Sequence, residues 1–281
     1  MYDLKIGMGV NAVKLLGFKD GDYRICVYPD LLDQLKEIKS LGFDSVEVGI
    51  NGPFSPPALE SILDETVDAV IKSEMKVSFH MPFGSCWIDL ACPYDTDRPE
   101  ICKWIAKLFK RLEPCKPFAY VFHPGGEDAV GSFRDKALTN LCLSAQELAN
   151  STDAMVCVEN MVRSKVIETV DQMLWFLDKA PSVKCVLDTN HLLHDKPEDA
   201  ILRIGDRIKH LHISDYDFIN ERHMLPGNGK IDWMAVIGAL EKIGYDGIFN
   251  YEVNMGRYGH TLQDLIDNKK ALFDKYNSLK K

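Results

Sequence analysis

Short apolar runs alternate with longer stretches of helical periodicity along this sequence, and that alternation restricts the fold more than any other feature. Between the runs, apolar residues recur about one helical turn apart, as in Leu31, Leu35, Ile38 and Leu41. Strict alternation of strands and helices indicates a parallel sheet covered by helices. The runs that we predict as strands are Leu4–Gly7, Ser45–Val48, Val77–His80, Ala119–His123, Met155–Glu159, Val183–Asp188, Ile208–Ser214 and Gly247–Val253.

Eight strand–helix units in 281 residues fit one (β/α)8 barrel, which typically needs about 250 residues. We therefore predict an α/β fold, a TIM barrel that forms a single domain over residues 1–281. An open doubly wound sheet is the alternative. It usually carries a glycine-rich phosphate turn after its first strand, and Gly7-Met8-Gly9-Val10-Asn11-Ala12 lacks the third glycine of that turn. A weak internal repeat favours the barrel, because Leu41-Gly42-Phe43-Asp44 resembles Ile243-Gly244-Tyr245-Asp246.

Charge and cysteine spacing restrict the partners and the compartment. The net charge is −9, and no basic run is longer than a dipeptide before Lys280-Lys281, which argues against a nucleic-acid partner. The cysteines form no C-x-x-C pair, as expected for reduced thiols. No apolar stretch reaches the roughly 18 residues of a membrane span, and the N-terminus does not resemble a signal peptide. We expect a cytoplasmic protein with no membrane contact, and a homo-oligomer is possible.

Polar residues stand at the ends of six consecutive predicted strands. The C-terminal strand ends of a TIM barrel carry the active site, so these side chains should share one rim. Burying several carboxylates together is costly unless a cation or protons compensate their charge. The sequence therefore predicts a divalent metal at this rim. The residues are His80, His123, Glu159, Asp188, His212 and Glu252.

The residue types restrict the metal. The two Glu, the Asp and one His of this group would form a mostly oxygen site with one imidazole, which suits Mn2+, Mg2+ or Co2+ more specifically than the alternative, Zn2+. Within His210-Leu211-His212, the alternation of a strand points both rings to the same side. His212 is nearer the strand end and is the preferred ligand. His210 lies deeper, where an orienting role and a core role are equally consistent with its position.

With these motifs the chain resembles the sugar-phosphate isomerase/epimerase superfamily, the xylose isomerase-like TIM barrels that also include endonuclease IV. The resemblance extends from about Asp30 to Tyr276. It rests on H-x-P after strand three, H-P-G after strand four, E-N after strand five, D-x-x-H after strand six, H-x-H-x-x-D on strand seven, P-G-N-G-K-I-D, and the strand-eight glutamate. The resemblance implies that the metal is held by Glu159, Asp188, His212 and Glu252.

The resemblance also implies a reaction on a small sugar or sugar phosphate. Glu159 and Glu252 would be the catalytic acid–base pair, removing a proton next to a carbonyl and returning it through an enediolate. Return to the opposite face gives epimerisation, as in a ketose 3-epimerase, and return to the adjacent carbon gives isomerisation. A lyase or dehydratase acting on a keto-sugar or keto-inositol would use the same residues. We expect substrate contacts from His80, Trp87, His123, His191, Arg222 and His223.

An apurinic-site nuclease like endonuclease IV is the alternative from another class. Its three-zinc site uses additional histidines and acids, which this chain offers at His80, His123, His191 and in the arm Glu221-Arg222-His223. The arm has Glu221 where the nuclease pattern has aspartate. The acidic balance and the lack of evident basic loops favour the sugar enzyme.

Overall fold

A computed structural model describes residues 1–19, 22–50, 59–83, 88–126, 131–162 and 164–280. Within these ranges, eight parallel strands form one sheet, and the sheet closes into a TIM barrel with helices between the strands. In chain order the barrel strands are β1 (Lys5–Asn11), β4 (Ser45–Gly49), β5 (Lys76–His80), β6 (Ala119–Phe122), β7 (Met155–Glu159), β8 (Lys184–Asp188), β9 (Ile208–His212) and β10 (Ile248–Tyr251). The predicted fold class is confirmed.

The helices cover the outer face of the barrel, and several begin at the polar caps that their sequences encode. The Thr169 side chain accepts a hydrogen bond from the Gln172 backbone at the start of one helix, and Asp232 accepts from Met234 and Ala235 at another. The helices are α1 (Leu31–Ser40), α2 (Leu63–Ser73), α3 (Asp97–Leu112), α4 (Ser132–Ala149), α5 (Val170–Lys179), α6 (Pro197–Ile204), α7 (Trp233–Lys242), α8 (Met255–Tyr258) and α9 (Leu262–Ser278), with 3-10 turns at Glu113–Cys115 and Gly205–Arg207.

The barrel closes between its last two strands. The Ile213 amide donates to the Asn250 carbonyl at 2.8 Å, and the Glu252 amide donates to the Ile213 carbonyl at 3.0 Å. β10 in turn pairs with β1, Lys5 opposite Ile248. Because neighbouring strands are in parallel register, their C-terminal ends meet at one rim, and the predicted site residues lie there.

Side chains alternate between the barrel interior and the helix layer. Tyr120 on β6 points outward and stacks on Phe109 of α3, with 3.9 Å between ring centroids. The interior holds smaller or polar groups, including a buried apolar cluster of Ala119, Val121, Cys157 and Val186. Residues two apart on a strand point to the same side. His123, Glu159 and Asp188 lie two residues after Val121, Cys157 and Val186, so they also face the barrel interior, at its rim.

A β-hairpin between β1 and α1 was not predicted from the sequence. Its strands β2 (Val13–Lys19) and β3 (Asp22–Val27) pair antiparallel, outside the barrel sheet. The sequence signal was the dipeptide Asp20-Gly21, which is typical of two-residue hairpin turns. Among the described helices, none has the length and apolar character needed to cross a membrane.

Candidate active site

Glu159, Asp188, His212 and Glu252, the four predicted metal ligands, meet at the C-terminal rim of the barrel. One candidate ligand atom from each lies within 4.8 Å of the others. His212 Nδ1 is 2.9 Å from Glu252 Oε2 and 3.3 Å from Glu159 Oε1. The first three residues end strands β7, β8 and β9, and Glu252 follows β10 directly.

Unsatisfied polar atoms in this group fit a bound cation. Within the described part of the chain, Glu159 Oε2, Asp188 Oδ2, His212 Nδ1 and Glu252 Oε2 are buried and have no aligned hydrogen-bond partner. Leaving such atoms unpaired is costly, and a divalent ion would satisfy them together. The Glu252 side chain keeps 39% of its surface exposed, whereas that of Glu159 keeps 1%. Of the two glutamates, Glu252 is therefore the one nearer the protein surface.

The four groups affect one another's protonation. Burial opposes the charged form of Glu159, but His212, His191 and His80 hold the pKa of its carboxyl well below the usual value. Burial raises the pKa of Asp188 well above its usual value, and repulsion from Glu252 adds to that effect. Burial disfavours the His212 imidazolium, yet Glu47, Glu159 and Glu252 raise its pKa well above the ordinary range. Without a cation, these raised pKa values favour the protonated forms of the Asp188 carboxyl and the His212 ring.

His80 and His123 adjoin Oε2 of Glu159, whereas His212 faces Oε1. Their Nε2 atoms lie 3.5 and 3.6 Å from Glu159 Oε2. Burial lowers the pKa of His123 to about 3, so its ring is neutral at pH 7. The Phe83 ring stacks on His123 with 4.0 Å between centroids. Both histidines thus lie beside the metal-ligand group, and Phe83 is a site residue that the sequence alone did not single out.

The loop that carries His123 is fixed by hydrogen bonds to its neighbours. The Gly126 amide donates to the Asp89 carboxylate at 3.2 Å, and Ser164 Oγ donates to the Gly125 carbonyl at 2.8 Å. Gly125 has a φ of +72°, and a Cβ there would collide with Asp89 Oδ1. The glycine of the H-P-G motif is therefore required both by its backbone conformation and by this close approach.

His191, predicted to contact substrate, lies among the acids of the rim. It is buried, with Nδ1 at 2.9 Å from Glu159 Oε1 and Nε2 at 2.7 Å from Glu221 Oε1. Asn160 aligns this segment by accepting from the Asp188 amide and donating to the His191 carbonyl. These contacts explain why the E-N and D-x-x-H motifs occur together.

The segment after β9 contains the arm Glu221-Arg222-His223. It is folded around the buried carboxylate of Asp215, the aspartate of the H-x-H-x-x-D motif. Asp215 accepts from the Gly227 amide at 2.8 Å and from Trp233 Nε1 at 2.9 Å. The arm places the His223 ring 6.0 Å from the His191 ring, and His223 Nδ1 lies 3.0 Å from the Glu252 carbonyl. The Arg222 guanidinium instead donates to Asp217 at 2.8 Å. Both residues were predicted to contact substrate. His223 adjoins the metal-ligand group through Glu252, whereas Arg222 is paired with Asp217.

Glu47 is the functional candidate that the sequence analysis missed. It lies on β4 and is 4% exposed, with Oε1 at 2.8 Å from His212 Nε2. A lone acid at an interior position of the apolar run Ser45-Val46-Glu47-Val48 was the available signal. Trp87, predicted to contact substrate, lies outside the described residues.

Comparison with known proteins places this geometry in a family. The family model described as xylose isomerase-like TIM barrel matches residues 35–275. A D-psicose 3-epimerase of Enterocloster bolteae is 25% identical over 244 residues, covering 78% of this chain and 75% of that protein. The crystal structure of D-psicose 3-epimerase with D-tagatose from Clostridium cellulolyticum superposes with a TM-score of 0.71 at 18% identity, covering 98% of this chain and 99% of the other. D-allulose 3-epimerase from Methylomonas sp. in complex with D-allulose gives 0.73 at 16% identity, covering 98% and 97%. The chain belongs to the xylose isomerase-like TIM-barrel family.

Proposed function

We propose that this protein is a divalent-metal-dependent epimerase or isomerase of a ketose or ketose phosphate. The observation that carries the proposal is the convergence of two glutamates, Glu159 and Glu252, on His212 Nδ1, at 3.3 and 2.9 Å. Two carboxylates around one small site are what proton removal and return require. The similarity to a D-psicose 3-epimerase and to structures of ketose 3-epimerases supports the same reaction class.

In this proposal Glu159, Asp188, His212 and Glu252 hold the metal, with Mn2+, Mg2+ or Co2+ favoured by the three carboxylates. A bound divalent ion would polarise the substrate carbonyl and make the neighbouring carbon-bound proton more acidic. One glutamate would take that proton to give an enediolate, and the other, protonated from water, would return a proton to the opposite face or to the adjacent carbon. The first glutamate would then release its proton to water, which restores the starting state. The partly exposed Glu252 faces the approaching substrate, while Glu159 is held in place by His191 and His80.

Deuterium exchange tests the proposal directly. The metal-loaded protein is incubated in D2O with D-psicose, D-tagatose, D-fructose, ketose phosphates and keto-inositols, and carbon-bound deuterium is measured by NMR. Metal content is determined on the same preparation. We expect exchange into at least one ketose, with loss of exchange in Glu159→Gln and in Glu252→Gln. Glu37→Gln, on the exposed surface of α1, is the matched control and should exchange at the wild-type rate.

Three outcomes would contradict the proposal. No exchange across the panel would argue against proton transfer next to a carbonyl. Exchange that survives both glutamate substitutions would remove the acid–base assignment. Loss of water from a keto-inositol, detected as an unsaturated product, would assign the lyase alternative to the same residues.

A second candidate, the apurinic-site nuclease, is favoured by one observation. His80, His123 and Glu159 form a further group whose ligand atoms lie within 4.8 Å of one another, so the rim offers ligands for more than one cation. Cleavage of a duplex with an abasic site, by protein that holds several zinc ions per chain, would establish it. One metal per chain and no cleavage would exclude it.

A further inference from the structure

The Glu47 carboxylate lies inside the barrel and contacts three side chains from neighbouring parts of the wall. Its Oε2 accepts a hydrogen bond from His210 Nε2 at 2.9 Å and one from Ser78 Oγ at 3.2 Å. Its Oε1 lies 2.8 Å from His212 Nε2. The metal ligands and the acid–base pair proposed above do not include this carboxylate, so its burial needs another explanation.

Carboxylates flank the His212 ring on both sides. Nε2 faces Glu47, while Nδ1 faces Glu159 and Glu252 at 3.3 and 2.9 Å. A neutral imidazole carries one hydrogen, and the nitrogen that binds a metal must present its lone pair. Without Glu47, the two carboxylates at Nδ1 would attract the hydrogen to the nitrogen that faces the metal-ligand group. The position of this one hydrogen therefore decides whether His212 can bind a metal there.

We propose that Glu47 is a positioning residue that keeps the His212 hydrogen on Nε2 and leaves the Nδ1 lone pair for the metal. The inference rests on the metal site of the proposed function. An anionic oxygen at 2.8 Å attracts an N–H dipole and repels a nitrogen lone pair. Because His212 Nε2 is not aligned as a hydrogen-bond donor, the effect is one of charge and proximity. Carboxylates behind a metal-binding histidine commonly orient the ring and raise its basicity.

His210 and Ser78 fix Glu47 in this role. Both donate to Oε2, which leaves Oε1 directed at His212. Within the described chain, His210 Nδ1 is buried without a hydrogen-bond partner, so the hydrogen bond of this ring to Glu47 is made by Nε2. The two aligned hydrogen bonds at Oε2 favour this network over direct metal coordination by that oxygen, although Glu47, His210 and His212 do form a compact group.

The test substitutes Glu47→Gln, which keeps the side-chain length and removes the charge. Calorimetric titration of metal-free protein with Mn2+ should show a dissociation constant about 10–100-fold higher than in the wild type. In Zn2+-loaded protein with 15N-labelled histidine, the wild type should show a His212 Nε2 hydrogen shifted downfield by the carboxylate. The Glu47→Gln protein should lose that shift. Glu37→Gln should match the wild type in both measurements.

Further outcomes separate this inference from the proposed function. A folded Glu47→Gln protein with unchanged Mn2+ affinity and an unchanged Nε2 hydrogen would overturn the positioning role. A second metal per wild-type chain that disappears in Glu47→Gln would identify Glu47 as a ligand and also overturn it. Failure of the wild type itself to bind Mn2+ or Zn2+ would refute the proposed function instead. If Glu47→Gln does not fold, Ser78→Ala decides: several-fold weaker Mn2+ binding supports the role, and unchanged binding overturns it.

Discussion

Metal binding should displace protons from this site, because two of its four proposed ligands have raised pKa values. Asp188 and His212 have pKa values well above their usual ranges, whereas the pKa of Glu159 is held well below its usual value. Burial opposes the charged form of Glu252, but His212 lowers its pKa to about 2. A divalent metal that binds both groups must displace any proton held by the Asp188 carboxyl or by the His212 nitrogen that faces it. Displacement of two protons by one divalent cation would leave the net charge of the site unchanged.

The sign of the pH dependence follows. A raised pKa in the folded protein stabilises the metal-free fold at low pH, and that stabilisation declines as the pH rises toward the raised value. Metal binding competes with the same protons, so the apparent Mn2+ affinity should rise with pH. The expected slope is about tenfold per pH unit for each displaced proton, or about 1.4 kcal/mol. The increase in melting temperature produced by a fixed Mn2+ concentration should therefore be larger at pH 8 than at pH 6.

Titration calorimetry in phosphate and in Tris counts the protons, because the two buffers differ in ionisation enthalpy. At pH 7 we expect release of one to two protons per metal. The measured binding enthalpies in the two buffers should therefore differ by one to two times the difference between the ionisation enthalpies of the buffers. Asp188→Asn removes one titrating group and should reduce the count. A count of zero in the wild type, or an affinity independent of pH between 6 and 8, would refute the assignment of protons to Asp188 and His212.

Other predictions concern the groups that support the site. Trp233→Phe removes a donor from the buried Asp215 carboxylate and should lower the free energy of unfolding by about 1.5–3 kcal/mol, measured by urea denaturation. Trp175→Phe, on an exposed position, should change it by less than about 0.5 kcal/mol. Asp232→Ala removes the N-cap of α7 and should cost about 1 kcal/mol in the same assay; no change would mean that the cap is replaced by solvent. Phe83→Leu loses the stacking on His123 and should cost about 0.5–1.5 kcal/mol, against a near-neutral Phe133→Leu control at an exposed position.

The barrel and its rim were predictable because they depend on local periodicity. Apolar runs of strand length, separated by helical stretches, indicated the eight barrel strands. The glycines of the repeated helix ends, Gly42 and Gly244, have left-handed φ values of +92° and +69°, which are common for a glycine that ends a helix. The hairpin of β2 and β3 was missed because its strands lie outside the barrel and interrupt the alternation that was used to find the others.

The grouping of Glu159, Asp188, His212 and Glu252 follows from the sequence for a similar reason. Each ends or directly follows a strand, and parallel strands end at the same rim, so no long-range knowledge was needed to bring them together. The resemblance to a known family supplied their expected roles. The position of each strand-end residue was thus set by local sequence alone.

Contacts across the barrel were decided only by the tertiary structure. Glu47 and His210 are 163 positions apart, and alternation along each strand shows that both face inward without showing that they meet. Likewise, the sequence predicts a substrate contact for His191, and only the structure shows its contacts with Glu159 and Glu221. Which inward side chains touch depends on how the sheet closes and how its strands are staggered, and these are properties of the whole barrel. The sequence therefore determined which residues reach the rim, and closure of the barrel determined which partners hold them there.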